Sequence, residues 1–197
     1  MSITLLQLSK DLQGFAGYLE GPEHGNIMVQ MANEALALNK MRVQEKGEDP
    51  KGEKYKAYSK KPMLTNRKAM TNAAYSSIAG SKKKRQELDW VTLNSHRLFE
   101  LPNGYKQFRE LHGRQTGFVD FTFTGRMWGN VKLVSDRTEL NSGVAVIKAT
   151  EELQKKKLEG NTERRGEILG LSKSEVERLS DVYSGWVDGA LRKFKLI

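Results

Sequence analysis

Few residues in this sequence have the type and spacing for acid–base or metal chemistry. His96 and Glu100 stand four apart, which on a helix puts both on one face, but two ligands do not make a metal site. His24 and His112 lie far away in the chain, and no H-E-x-x-H accompanies any of the three histidines. There is no G-x-S-x-G to raise a serine on a strand-to-helix elbow. Gly125-Arg126-Met127-Trp128-Gly129 fits neither a phosphate loop nor a dinucleotide fingerprint. The 197 residues contain no cysteine, which excludes disulfides, thiol nucleophiles and Cys-ligated zinc. Glu151, Glu152, Glu175 and Glu177 fall at helix beginnings, where the helix dipole and capping account for them. The sequence is therefore read as that of a non-enzyme, with no catalytic residue, cofactor or metal assigned.

Charge gives a sharper signal. The formal net charge is +9. Between Lys40 and Arg85 there are 14 Lys and Arg against 4 Asp and Glu, so the basic character belongs to one segment. Its strongest run is Lys82-Lys83-Lys84-Arg85, with Lys60, Lys61, Arg67 and Lys68 upstream. Such cations can neutralise phosphates and release counterions whatever the base sequence. Tyr55, Tyr58 and Tyr75 lie among them and could stack on bases. A patch for an acidic protein partner and a plain solvated loop fit the same residues. Lys155-Lys156-Lys157 reads as helix surface.

The elements that must carry these residues follow from periodicity. Phe118 to Thr124 alternates, with Val119, Phe121 and Phe123 on one side and Asp120, Thr122 and Thr124 on the other, predicting a half-buried strand. Val131–Ser135 and Gly143–Ala149 predict two more, joined as a hairpin across polar residues. Leu5, Leu8, Leu12 and Phe15 predict an amphipathic helix over Ile3–Gln13, and Met28, Met31, Ala35 and Leu38 another over Asn26–Gln44. The lysine-rich stretch from Gly47 to Pro62 predicts an extended or disordered arm. Helical character returns over Thr65–Gly80, over Trp90–Leu101 and over Tyr105–His112. Thr150-Glu151-Glu152 starts a helix that stops near Gly160. Ser172-Lys173-Ser174-Glu175 has capping-box spacing and opens the terminal helix, whose stripe is Val176, Leu179, Tyr183, Trp186, Ala190 and Phe194. No apolar run approaches the ~20 residues that span a bilayer, and Met1–Leu6 lacks the features of a secretory signal.

From Asn103 to Leu191 the order of motifs resembles a family. Gly104-Tyr105-Lys106-Gln107-Phe108-Arg109 is followed by a strand ending Thr124-Gly125-Arg126-Met127, a hairpin, Asn161-Thr162-Glu163-Arg164-Arg165-Gly166, then Ile168-Leu169-Gly170-Leu171-Ser172-Lys173-Ser174-Glu175 and a last helix. This is similar to the tail-completion, or head–tail joining, proteins of tailed bacteriophages, including the Mu-like virion-morphogenesis group. Arg165-Gly166-Glu167-Ile168 stands where that family carries an Arg-Pro-Phe segment, and the first hundred residues lie outside the likeness. The resemblance implies a neck subunit working in a homo-oligomeric ring. It implies portal or adaptor and tail proteins as neighbours, with DNA passing through, and brings no catalytic residues.

Together these readings set an α+β expectation: an antiparallel sheet packed by helices, with a helical N-terminal part at 1–46, a basic arm at 47–89 and a tail-completion-like domain at 90–197. The expected function is a structural virion protein of the neck or tail-completion ring, located in the virion and in host cytoplasm during assembly, with no membrane partner. The alternative is a nucleic-acid-binding accessory protein using residues 40–85. Arg126, Leu171, Trp186 and Phe194 are the expected subunit-interface residues, and Thr124 is expected to cap the turn above Met127 and Trp128.

Overall fold

The fold, a computed structural model, is described for residues 5–122 and 124–197; Ile3 and Phe123, which the sequence places in a helix and a strand, lie outside them. The architecture is α+β, with small antiparallel sheets among helices. In chain order the elements are α1 (Leu5–Leu19), α2 (Pro22–Met41), β1 (Met63–Thr65), α3 (Asn72–Ala79), α4 (Lys82–Gln86), β2 (Trp90–Leu93), β3 (His96–Leu101), α5 (Gly104–Leu111), α6 (Arg126–Asn130), β4 (Val131–Leu133), α7 (Arg137–Asn141), β5 (Ile147–Ala149), α8 (Glu152–Arg165) and α9 (Lys173–Lys193). Two compact units result: residues 5–53 with 124–197, and residues 54–122. That division runs elsewhere than the expected boundaries at 46 and 89.

The larger unit is built on α2 and α9. Pro22 pre-sets the first turn of α2, and a π-helical turn at Arg42–Lys46 ends at Gly47, which adopts φ 65°. The capping box that opens α9 is present in full: Ser172 Oγ accepts from Glu175 N and Glu175 Oε2 accepts from Ser172 N at 2.7 Å. The hairpin at 131–149 also forms, with Val131 opposite Ala149 and Leu133 opposite Ile147, and its connection contains α7. Helix α8 runs past Gly160 to Arg165. Glu151, not Thr150, is its N-cap, and the Asn130 side chain accepts from both Thr150 N and Glu151 N.

The smaller unit holds the three-stranded sheet, in the order β1-β3-β2. Phe99 and Leu101 of β3 are fully buried under α3 and α5, against Met70, Ala74 and Phe108. Each such side chain contributes about 1.5–3 kcal/mol by leaving water.

Four expectations are corrected here. The Phe118–Thr124 strand does not form: Asp120, placed on its exposed side, is buried, and Phe121 takes φ 52°, which ends the alternation. The block 118–149 therefore contributes a two-stranded sheet, and the larger sheet lies outside it. Trp90–Leu101 is a hairpin, not a helix. Asn94 and Ser95 supply the two positive-φ positions (48° and 64°) that a tight hairpin turn requires. The expected arm at 47–62 is ordered. Asp49 Oδ1 closes a turn by accepting from Lys51 N and Glu53 N, while Tyr55 and Tyr58 are buried against residues more than sixty positions away.

Candidate functional site

The eight basic candidates are all exposed, and the fold anchors them at three points of the smaller unit. Lys60 and Lys61 sit against the start of α5: Ser59 O accepts from Lys106 N at 3.0 Å. Gly104, at φ 57°, lets the chains meet, since a Cβ there would run into the Lys61 carbonyl. Arg67 and Lys68 lie in a 3₁₀ turn that Asn66 caps by accepting from Ala69 N. The Arg67 guanidinium donates to Met70 O and to Asn72 Oδ1 and lies 4.8 Å from the Tyr75 ring centre. Lys82–Arg85 form α4, capped by Ser81 and tied down where Trp90 Nε1 donates to Arg85 O at 2.9 Å and Lys84 Nζ to Ser77 O at 2.8 Å.

The second anchor opens onto a cleft of about 410 Å³ between the Asn66–Lys68 turn and the tip of the β2–β3 hairpin. Asn94, Ser95, His96 and Arg97 line its far side, and the Arg97 guanidinium rests 4.1 Å from the Trp90 ring centre. Two arginines held over aromatic rings beside exposed amide and hydroxyl groups make a surface suited to phosphate oxygens. Sequence reading missed Arg97 and the turn. The signal was Asn-Ser flanked by β-branched and aromatic residues, a hairpin signature that the apolar spacing obscured. His96 and Glu100 accordingly lie on a strand, not a helix face.

A buried network supports this surface. Arg109, 1 % exposed, donates from Nη2 to both Asp120 oxygens (3.0 and 3.2 Å), from Nη1 to Thr122 O and from Nε to Gln115 O. Tyr58 donates to Asp120 Oδ1 at 2.7 Å with its ring 4.3 Å from the guanidinium carbon. Burial, with Asp120 adding, holds the Tyr58 hydroxyl far above the usual phenol range. Tyr55 packs edge-on against Phe121. Neither tyrosine is available to stack on a base, and Tyr75 lies half-buried beside Phe99.

In the larger unit the four interface candidates separate. Trp186 stacks on Tyr18 (5.3 Å) and His24 (5.5 Å), and Phe194 meets Phe15 and Tyr18 edge-on, so both pack on α1 and α2 of their own chain. His24 sits between Asn141 O and Tyr183 Oη, the carbonyl fixing Nδ1 as donor. Arg126 is exposed after Gly125 (φ 76°). Its N–H donates to Thr124 Oγ1 at 3.4 Å, while Met127 and Trp128 are buried beneath. Leu171 lies at the surface, on the edge of an apolar groove of about 350 Å³ lined by Met28, Met31, Leu36, Ile147 and Leu169. The N-terminal half of α1 is also uncovered: Leu5 is 86 % exposed and Leu12 50 %.

Charge divides as the units do. Residues 54–123 hold 14 Lys and Arg against 5 Asp and Glu, and the rest of the chain holds 19 of each. The whole net charge of +9 thus resides in the smaller unit, and the larger is neutral. Among the described residues no three His, Cys, Asp or Glu converge as a metal site needs, and no helix is long and apolar enough to cross a membrane. Comparison with family models, curated proteins and solved structures finds no match.

Proposed function

We propose that this chain is a structural subunit of a tailed-phage neck or tail-completion ring, lying in the virion between portal or adaptor and tail proteins after assembly in host cytoplasm. Its neutral unit makes subunit contacts and its cationic unit meets passing DNA. The observation that carries the reading is the coincidence of charge with compact unit: one folded unit bears all +9, the other none. A polyanion is attracted to a surface of that kind without base-specific contacts. The ordered exposure of Lys60, Lys61, Lys68 and Lys82–Arg85 supports the DNA side, and the motif order from Asn103 to Leu191 supports the neck assignment.

A second reading, a nucleic-acid-binding accessory protein, rests on the same cleft of Arg67, Lys68 and Arg97. Native mass measurement of the chain with and without duplex DNA separates the two. A closed oligomer that forms without DNA and retains DNA at low salt supports the ring. A monomer that retains DNA transfers the function to the accessory reading. A monomer that ignores DNA removes both.

A further inference from the structure

We infer that the leucine stripe of α1 in one copy seats in the α2 groove of the next, giving a head-to-tail contact between copies of this chain; the inference rests on the ring reading above. Leu5, Leu8, Leu12 and Phe15 recur at i, i+3, i+7 and i+10 on one face of α1. Only the far end of that face has a partner inside the chain, where Phe15 and Tyr18 meet Phe194. Leu5, Leu8 and Leu12 remain 86, 40 and 50 % exposed. The stripe thus continues a packed aromatic cluster out into solvent.

The groove matches the stripe in size and chemistry. It offers about 350 Å³ between α2 and the segments around Ile147 and Leu169–Leu171. Room of about 150 Å³ takes a benzene-sized group, so two to three leucine side chains fit. Leu5 to Leu12 spans about 10 Å of helix, and the groove follows α2 from Met28 to Asn39, about 16 Å.

Electrostatics selects a second copy as the occupant. Copies meeting through residues 54–123 would oppose two units of +9, whereas those meeting through the neutral unit oppose no net charge. Helix and groove are different surfaces, so the contact is heterologous, the kind that closes into rings. A stripe of three leucines is smaller than the roughly 800 Å² per partner of a standard interface, but each subunit engages twice, once by helix and once by groove.

The chain has no cysteine, so single engineered thiols report proximity cleanly. Two tagged populations, Leu8→Cys and Met31→Cys, are mixed under oxidant, with Leu8→Cys plus Leu153→Cys as control, since Leu153 is exposed on α8. The expected result is a disulfide between the tagged chains at least tenfold more abundant in the first mixture. A second variant, Leu8→Glu/Leu12→Glu, should keep the wild-type melting temperature and fall to monomer. An oligomer that survives this variant, equal cross-linking in the two mixtures, or dominance of Leu8→Cys homodimers overturns the proposed contact and leaves the ring standing. A wild type that stays monomeric overturns both.

Discussion

Arg42 and Glu175, 133 positions apart, form a buried ion pair with Nε 2.9 Å from Oε1. The same guanidinium donates to Gly170 O and Glu48 O, and the same carboxylate caps the start of α9 through Ser172 N. Asn39 adds bonds to Ile168 O and Gly170 O. One cation thus ties the end of α2 to the Ile168–Ser172 connector that forms one wall of the groove. Glu175→Gln keeps the shape and leaves the Arg42 charge buried without its partner, an expected loss of about 3–5 kcal/mol. Adding Arg42→Met should recover part of it. Urea unfolding of the three variants measures this; equal losses in single and double variants would contradict the pairing.

Tyr58 predicts alkaline sensitivity. Its hydroxyl is held above the ordinary phenol value of about 10 in the fold, so above that pH the unfolded chain releases a proton that the folded one retains. The stabilisation is full below pH ~10 and is lost as pH rises from there towards the folded value. Tyr58→Phe should cost about 1–3 kcal/mol near pH 7 by leaving Asp120 short of a donor, and its stability should then fall less between pH ~9 and ~11. Hydrogen exchange over residues 54–122 reads both effects.

The basic turn α4 should act through charge. Replacing Lys82, Lys83, Lys84 and Arg85 by Gln leaves the buried core of Phe99 and Leu101 untouched. Duplex DNA retention should weaken, with the log–log salt slope shallower by about 0.9 for each phosphate no longer neutralised. An unchanged slope would place DNA elsewhere. Loss of assembly with DNA retention intact would assign α4 to an acidic protein partner.

Trp186 should stabilise the chain itself. Its ring lies between Tyr18, His24 and Tyr183, half-buried. Trp186→Ala is expected to cost about 3 kcal/mol, at the low end for a large aromatic. Thermal melting at a dilution where the wild type is monomeric tests it; an unchanged melting temperature there, with loss of oligomer, would make Trp186 an intermolecular anchor instead.

The sequence by itself determined the local elements whose signals are local. The capping box at Ser172–Glu175, the stripe of α9, the amphipathic α2 and the hairpin at 131–149 were all legible, because each depends on residues within a few positions. The eight cations were legible as types, and tertiary structure fixed their placement at three anchors. Tertiary structure also decided where the main sheet lies. Phe118–Thr124 has the alternation of a strand, but Asp120 is drawn inward by Arg109 and Tyr58, and charge-assisted bonds in a buried site outweigh a propensity worth about 1 kcal/mol. The lysine-rich segment after Gly47 reads as too polar to pack. It packs because Tyr55 and Tyr58 find Phe121, Arg109 and Asp120 more than fifty residues away, partners that no window of sequence brings together. The charge excess was visible along the chain; its concentration in one folded unit, with the other left neutral, follows only from which distant segments share a core.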